Sequence, residues 1–147
     1  RLILRPHEPR DLDAFCAMEM DAEVRRYVGG LPRTREEAEQ KFRTVPVGAI
    51  ILKSEDRYIG RAGLHSAGIA FYIARPYWGR GFATEAARAI IDDAFRERKV
   101  SRINAHVETG NAASVRVLEK LGFKHVRHEP GEPRSFDHFE LTAATSP

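Results

Sequence analysis

The chain has 147 residues, 42% hydrophobic and 31% charged, a size and mixture at which one globular core buries about two thirds of the surface exposed by the unfolded chain. Disorder is excluded by that composition, and a helical membrane span by the lack of any apolar run near ~20 residues. A net charge of +3 carried by scattered basic residues favours an ordinary solvated surface over a polynucleotide groove, and stays compatible with an anionic small ligand.

The elements expected along the chain begin with a strand at Leu2, Ile3 and Leu4, stopped by Pro6. Residues 11–20 carry Leu12, Phe15, Cys16 and Met18 at helical spacing, with Asp11 as the expected cap. Val24, Tyr27 and Val28 suggest a further helical turn ended by Gly29, Gly30 and Pro32. Thr34 followed by Glu37 is a capping-box pattern, and Ala38 with Phe42 gives the next helix an apolar side.

From Gly48 the period changes to that of strands: 48–53, 57–64 and 68–74, joined by loops too short for a crossover and therefore antiparallel. The clearest helix covers 81–98, where Ala83, Ala86, Ala87, Ile90, Ile91, Ala94 and Phe95 form an i, i+3, i+4, i+7 series. A strand at 103–107, a helix at 111–121 closed by Gly122, and strands at 123–126 and 136–142 complete an α+β order around one sheet. One domain over residues 1–147 is expected. Cys16, the single cysteine, excludes an internal disulfide and a multi-thiolate zinc site, and fits a reducing cytoplasm. His125 and His128 lie three apart with no carboxylate pattern beside them, so no metal site is expected.

Chemistry concentrates in Trp78-Gly79-Arg80-Gly81-Phe82-Ala83-Thr84-Glu85-Ala86, between a strand and the strongest helix. Glycines let main-chain amides approach a ligand, and a helix start offers unpaired N–H donors at a positive dipole end, which together suit a phosphate or pyrophosphate. The alternative is a plain glycine-rich turn with an exposed arginine. No G-x-x-x-x-G-K-[ST] is present, and the G-x-G lacks the third glycine of a dinucleotide fold.

This stretch resembles the acetyl-coenzyme A loop of the GNAT superfamily: Gly81 and Ala83 match its pattern, and Trp78 stands where that pattern has Gln or Arg. The departure is similar to the RimJ/RimL-type branch. That branch is also resembled by the run from Asn111 through Ser114 and Leu118 to Gly122 and Phe123, and by the opening Arg1-Leu2-Ile3-Leu4-Arg5-Pro6.

The resemblance implies a GNAT-like fold: a single, mixed and mostly antiparallel sheet of about seven strands flanked by helices, with strands 68–74 and 103–107 splayed around the coenzyme. It implies acetyl-coenzyme A as cosubstrate, contacted by Phe71, Tyr72, Ile73, Trp78, Gly79, Arg80, Gly81, Phe82, Ala83, Thr84, Asn111 and Ser114. It further implies transfer of the acetyl group to an amine of a peptide N-terminus, an amino acid or another small molecule. An exposed edge strand allows a monomer or a homodimer, and composition and residue pattern predict no metal, nucleic acid or membrane partner. Leu118 occupies the place of the family's usual tyrosine acid, which leaves Ser114 as the substitute proton donor or as a simple first-turn serine. The branch's glutamate falls at Gly68, so Glu108 is the remaining carboxylate for a general base, with His106 and His65 behind it and bulk water as the alternative acceptor. Tyr27, Phe42, Tyr72 and Trp78 either line the acceptor pocket or fill the core. A non-catalytic acyl-coenzyme A binding or sensor module is the competing reading, resting on the missing tyrosine and base. A basic nucleic-acid module would show steep salt dependence.

Overall fold

The computed structural model describes residues 1–144. In chain order they form β1 (Leu2–Arg5), a 3₁₀ turn Pro9–Asp11, α1 (Leu12–Glu19), α2 (Ala22–Arg25), α3 (Arg35–Phe42), β2 (Gly48–Leu52), β3 (Arg57–His65), β4 (Gly68–Ile73), a 3₁₀ turn Arg75–Tyr77, α4 (Phe82–Arg96), β5 (Arg102–Glu108), α5 (Ala112–Lys120), β6 (Lys124–Glu129) and β7 (Phe136–Thr142). None of the described helices is long and apolar enough to cross a membrane.

Local chemistry explains most of these ends. The Thr34 side chain accepts the Glu37 amide and Glu37 returns the bond to the Thr34 amide, so α3 starts on the expected capping box. Asp11 departs from expectation and gives α1 no side-chain cap. Its carboxylate is buried, accepts the Glu8 amide at 2.8 Å, and accepts from both terminal nitrogens of Arg5 at 2.7 and 3.0 Å. A charge-assisted two-pronged pair out of water outweighs a single cap bond.

The expected strands are present, and their hydrogen bonds divide them into two antiparallel sheets, ordered β1-β2-β3-β4 and β5-β7-β6, rather than one continuous sheet. The division falls between β4 and β5, the pair expected to splay. Helix α4 provides the crossover that sets β5 beside β4. At the start of β4 the two strands touch, since a Cβ on Gly68 would collide with the Asn104 carbonyl. Among the described residues no ladder joins them beyond that point.

Both faces of the first sheet are covered, which is why β2 reads as a near-continuous apolar run. Ile50, Leu52, Ile59, Ala62 and Ile73 pack against Phe82 and Ala86 of α4. On the other face Ala49, Ile51 and Tyr58 meet Phe15, Cys16 and Met18 of α1 and Ala38 of α3. A third cluster joins Ala87, Ile91 and Ala94 of α4 and Leu118 of α5 to Ile103, Ala105, Phe139 and Leu141. Each fully buried Leu, Ile, Phe or Met side chain among them is worth about 1.5–3 kcal/mol. Helices α4 and α5 thus lie on one side of the β4–β5 parting and α1 to α3 on the other.

Candidate active site

The turn between β4 and α4 is shaped by Gly79 and Gly81, with φ of 77° and 81°, values that side-chain-bearing residues rarely adopt. Gly81 is the left-handed N-cap of α4 and makes no side-chain cap. The first intrahelical bond runs from the Glu85 amide to the Gly81 carbonyl. Among the described residues, no acceptor takes the amides from Gly79 through Thr84. This is a run of main-chain donors at the positive end of a four-turn helix, and a Cβ on Gly79 would meet nothing within 4 Å. Cavities of about 520 Å³, bordered by Gly81, Thr84, Arg88 and Lys120, and about 500 Å³, bordered by Arg80, Phe82 and Lys53, flank the helix start.

Arg80 stacks on Tyr77, 5.4 Å from the ring centre. Glu85 has a structural partner: its carboxylate accepts from Arg1 Nε at 2.7 Å, while Arg1 also caps the Arg80 carbonyl at 3.2 Å and lies over the Phe82 ring. Burial pushes the Glu85 carboxyl up, and Arg1 more than offsets it, leaving the group below its ordinary value. That agrees with a first-turn glutamate serving the helix rather than chemistry.

Beside the turn lies the parting of β4 and β5. The Ala74 amide donates to the Ile59 carbonyl at 2.8 Å, in line with the β3–β4 register Gly60↔Ile73 and Arg61↔Tyr72. Alternation along an antiparallel ladder then turns the main-chain groups of Tyr72 toward β3, and those of Phe71 and Ile73 toward the gap. Trp78 confirms the direction independently, because its indole N–H donates to the Ile73 carbonyl at 2.6 Å. The Ile73 carbonyl is thereby occupied and its amide faces the gap. Of the three strand residues expected to offer backbone to a ligand, Phe71 and Ile73 turn their main-chain groups toward the gap. The Tyr72 main chain is spent in the sheet, and its ring faces the α1 side, 4.6 Å beneath the Arg61 guanidinium.

Asn111 caps α5 by accepting the Ser114 amide on its Oδ1 at 3.2 Å. Leu118, one turn beyond Ser114, is wholly buried in the cluster that also holds Ile69 of β4 and Ala105 of β5. Residues four apart share a helix face, so half-buried Ser114 looks toward the same parting. Its hydroxyl has no hydrogen-bond partner among the described residues.

On the α1–α3 side, strand alternation places Glu108 opposite buried Ile103 and Ala105. Its carboxylate is largely covered, and among the described residues the Oε2 atom has no hydrogen-bond partner and its nearest cation is Arg134 Nη1 at 3.8 Å. Arg134 comes from the β6–β7 connection and lies against Gly30, where a Cβ would collide with it, while the Tyr27 ring stands 3.7 Å from the place a Cβ on Gly110 would take. The α2–α3 loop therefore bridges the end of β5. His65 and His106 are not gathered here: His65 accepts the Ala67 amide within its own hairpin, and His106 faces Phe136 and His138 in a separate cavity of about 420 Å³. Burial holds the His106 ring below its ordinary value. His125 and His128 do find a carboxylate, both at 3.0 Å from Asp137 Oδ1 on β7, a pairing across strands that their spacing could not reveal.

One constellation went unnoticed in the sequence. Glu19 is 1% exposed and is met by Arg33 Nε at 2.5 Å, Arg61 Nη2 at 2.6 Å and Arg25 Nη1 at 3.5 Å. The Arg61 contact is close but not aligned as a hydrogen bond, and Arg61 Nη1 is buried with no hydrogen-bond partner among the described residues. Burial would raise the Glu19 carboxyl, yet Arg61, Arg33 and Arg25 hold it below its ordinary range. Arg25 is pushed down by burial and by the like charges of Arg33, Arg61 and Arg134, against the pull of Glu19. The signal was present: Glu19 occupies the i+7 position of the apolar stripe Leu12, Phe15, Cys16, and Arg61 is the charged residue inside the otherwise uncharged run from Tyr58 to Leu64.

Comparison with known proteins adds the following. The acetyltransferase (GNAT) domain model matches residues 1–124. The uncharacterized N-acetyltransferase p20 of Bacillus licheniformis is 32% identical over 141 residues, covering 84% of this chain and 79% of that protein. An acetyltransferase (GNAT family) structure from Bacillus anthracis superposes with a TM-score of 0.89 at 24% identity, covering 97% of this chain and 95% of the other. The spermidine N-acetyltransferase of Vibrio cholerae, solved with CoA and spermine, gives 0.81 at 18% identity, covering 98% and 96%. At such identities the two structures establish likeness of fold alone.

Proposed function

This chain belongs to the acetyltransferase (GNAT) family, and we propose that it moves the acetyl group of acetyl-coenzyme A to a primary amine by direct attack within a ternary complex, as a member of the RimJ/RimL-type branch. The carrying observation is the run of unpaired amides from Gly79 through Thr84, set at the N-terminus of α4 beside two strands that part. In this reading those amides and Arg80 hold the diphosphate. The pantetheine arm runs along Phe71 and Ile73, whose main-chain groups face the gap, and the Asn111 side-chain amide is placed to meet it.

The chemistry then needs few groups. The amine lone pair attacks the thioester carbonyl, and the Ile73 N–H stabilises the oxyanion that forms. As the tetrahedral centre collapses the C–S bond breaks, the N–C bond remains, and Ser114 supplies the proton that the thiolate takes up. The proton lost by the amine passes through water to Glu108. Support for these roles comes from the unpaired Ser114 hydroxyl on the gap-facing side of α5 and from the unsatisfied Glu108 oxygen on the acceptor side.

The test couples binding to turnover. Calorimetry should give heat with acetyl-coenzyme A, and a thiol-release assay should register free coenzyme only when an amine is added. Absence of binding by folded protein removes the loop assignment. Binding without amine-dependent release removes the transfer assignment.

A further inference from the structure

The acceptor side of the site carries more positive charge than its own carboxylates neutralise. Arg25, Arg33 and Arg61 converge on the single carboxylate of Glu19, and Arg134 stands 3.8 Å from Glu108 without a hydrogen bond between them. Four guanidiniums thus face two carboxylates. Arg61 and Arg25 are nearly enclosed, with side chains 6% and 10% exposed, whereas Arg33 and Arg134 remain open to water at 29% and 27%. Grouped buried charges are costly unless a counter-charge completes them, and here the counter-charge among the described residues is short. Glu108 presents the complementary deficit, a covered carboxylate oxygen with no donor.

We infer that the acceptor is a small amine carrying its own carboxylate, of the amino-acid type, which sets its nitrogen beside Glu108 and its carboxylate on Arg134 with the Arg33 and Arg25 charges behind. This rests on the acetyl-transfer reading above and names the substrate class for the same site. Planar guanidiniums suit a carboxylate, which they bind through paired N–H donors. The α2–α3 loop packs its Gly30 on Arg134, beside Glu108, and so borders the place proposed for the acceptor. A polyamine would bring several cations against four arginines and is disfavoured by the same field.

The deciding experiment measures kcat/KM by thiol release for the standard L-amino acids, their carboxamides and spermine, alongside calorimetry of each amine on protein saturated with coenzyme A. The best amino acid should exceed its own carboxamide by about tenfold or more, equivalent to about 1.4 kcal/mol, and spermine by a wider margin. Arg134→Gln should collapse the ratio of acid to amide, while Arg134→Lys, which keeps the charge but not the paired donors, should keep only part of it. A merely structural Arg134 would lower both substrates together and leave the ratio unchanged, which overturns the assignment. Equal use of acid and amide, or preference for spermine, also overturns it while leaving acetyl transfer intact. Should no amine be acetylated, calorimetric binding of amino acids but not of carboxamides still supports the acceptor class and sinks only the transfer reading, whereas no amino-acid binding sinks the class.

Discussion

Trp78 donates its indole N–H to the Ile73 carbonyl at 2.6 Å, and this bond ties the glycine turn before α4 to the strand end that borders the gap. It leaves the Ile73 amide as the main-chain group directed at the gap, so one side chain fixes which polarity the strand end presents. Trp78 is also the only tryptophan and is 48% exposed. Titration with acetyl-coenzyme A should therefore change the intrinsic emission of the protein. A Trp78→Phe variant should lose that signal, about 1–3 kcal/mol of stability for the carbonyl left without its donor, and part of its coenzyme affinity. An unaltered emission at saturating coenzyme would separate the turn from the binding site.

Gly81→Val tests the amide run directly. The added side chain has room, since the nearest atom to a Cβ there is Arg1 Nη2 at 3.6 Å, so the penalty is conformational and amounts to about 1–3 kcal/mol at a φ of 81°. Realigning the turn should cost at least about tenfold in affinity for acetyl-coenzyme A. Calorimetry with an unchanged dissociation constant would refute the diphosphate assignment.

Ser114→Ala should slow single-turnover thiol release about 10²-fold, the lower range for a positioned proton donor, with little change in coenzyme affinity because the Asn111 cap is made to the Ser114 main chain. A wild-type single-turnover rate would leave solvent as the proton source.

Glu108→Gln should abolish the acidic limb of the kcat/KM profile, because a base must be deprotonated to accept the amine proton and its loss removes that titration. Identical profiles for the two proteins would assign proton removal to bulk water.

Glu19 predicts a pH dependence of stability. Its carboxyl is held below the ordinary value of 4.5, so its stabilising contribution is complete above that value and disappears as the pH falls through the lower folded-state value. Chemical denaturation should show stability dropping below about pH 4.5. Glu19→Gln should cost about 3–5 kcal/mol near neutrality, since it strands three arginines, and should flatten the acid slope. A variant as acid-sensitive as the parent would place the titrating group elsewhere, with Arg5-paired Asp11 the next to substitute.

Local patterns in the sequence determined the α+β order, the long amphipathic α4, the Thr34 capping box, the glycine turn and the Asn111 cap, because each depends on residues within one or two turns of one another. Expectation failed where a long-range partner competed with a local one, as when Arg5 drew Asp11 away from the cap of α1. Tertiary structure alone decided that hydrogen bonding stops between β4 and β5, and that Phe71 and Ile73, but not Tyr72, turn their main chains to the gap. It also decided that Arg25, Arg33, Arg61 and Arg134, from four different segments, gather around Glu19 and Glu108 on two others. Charges so distant along the chain meet only after packing has fixed the segments that carry them, so no spacing rule could have drawn them together.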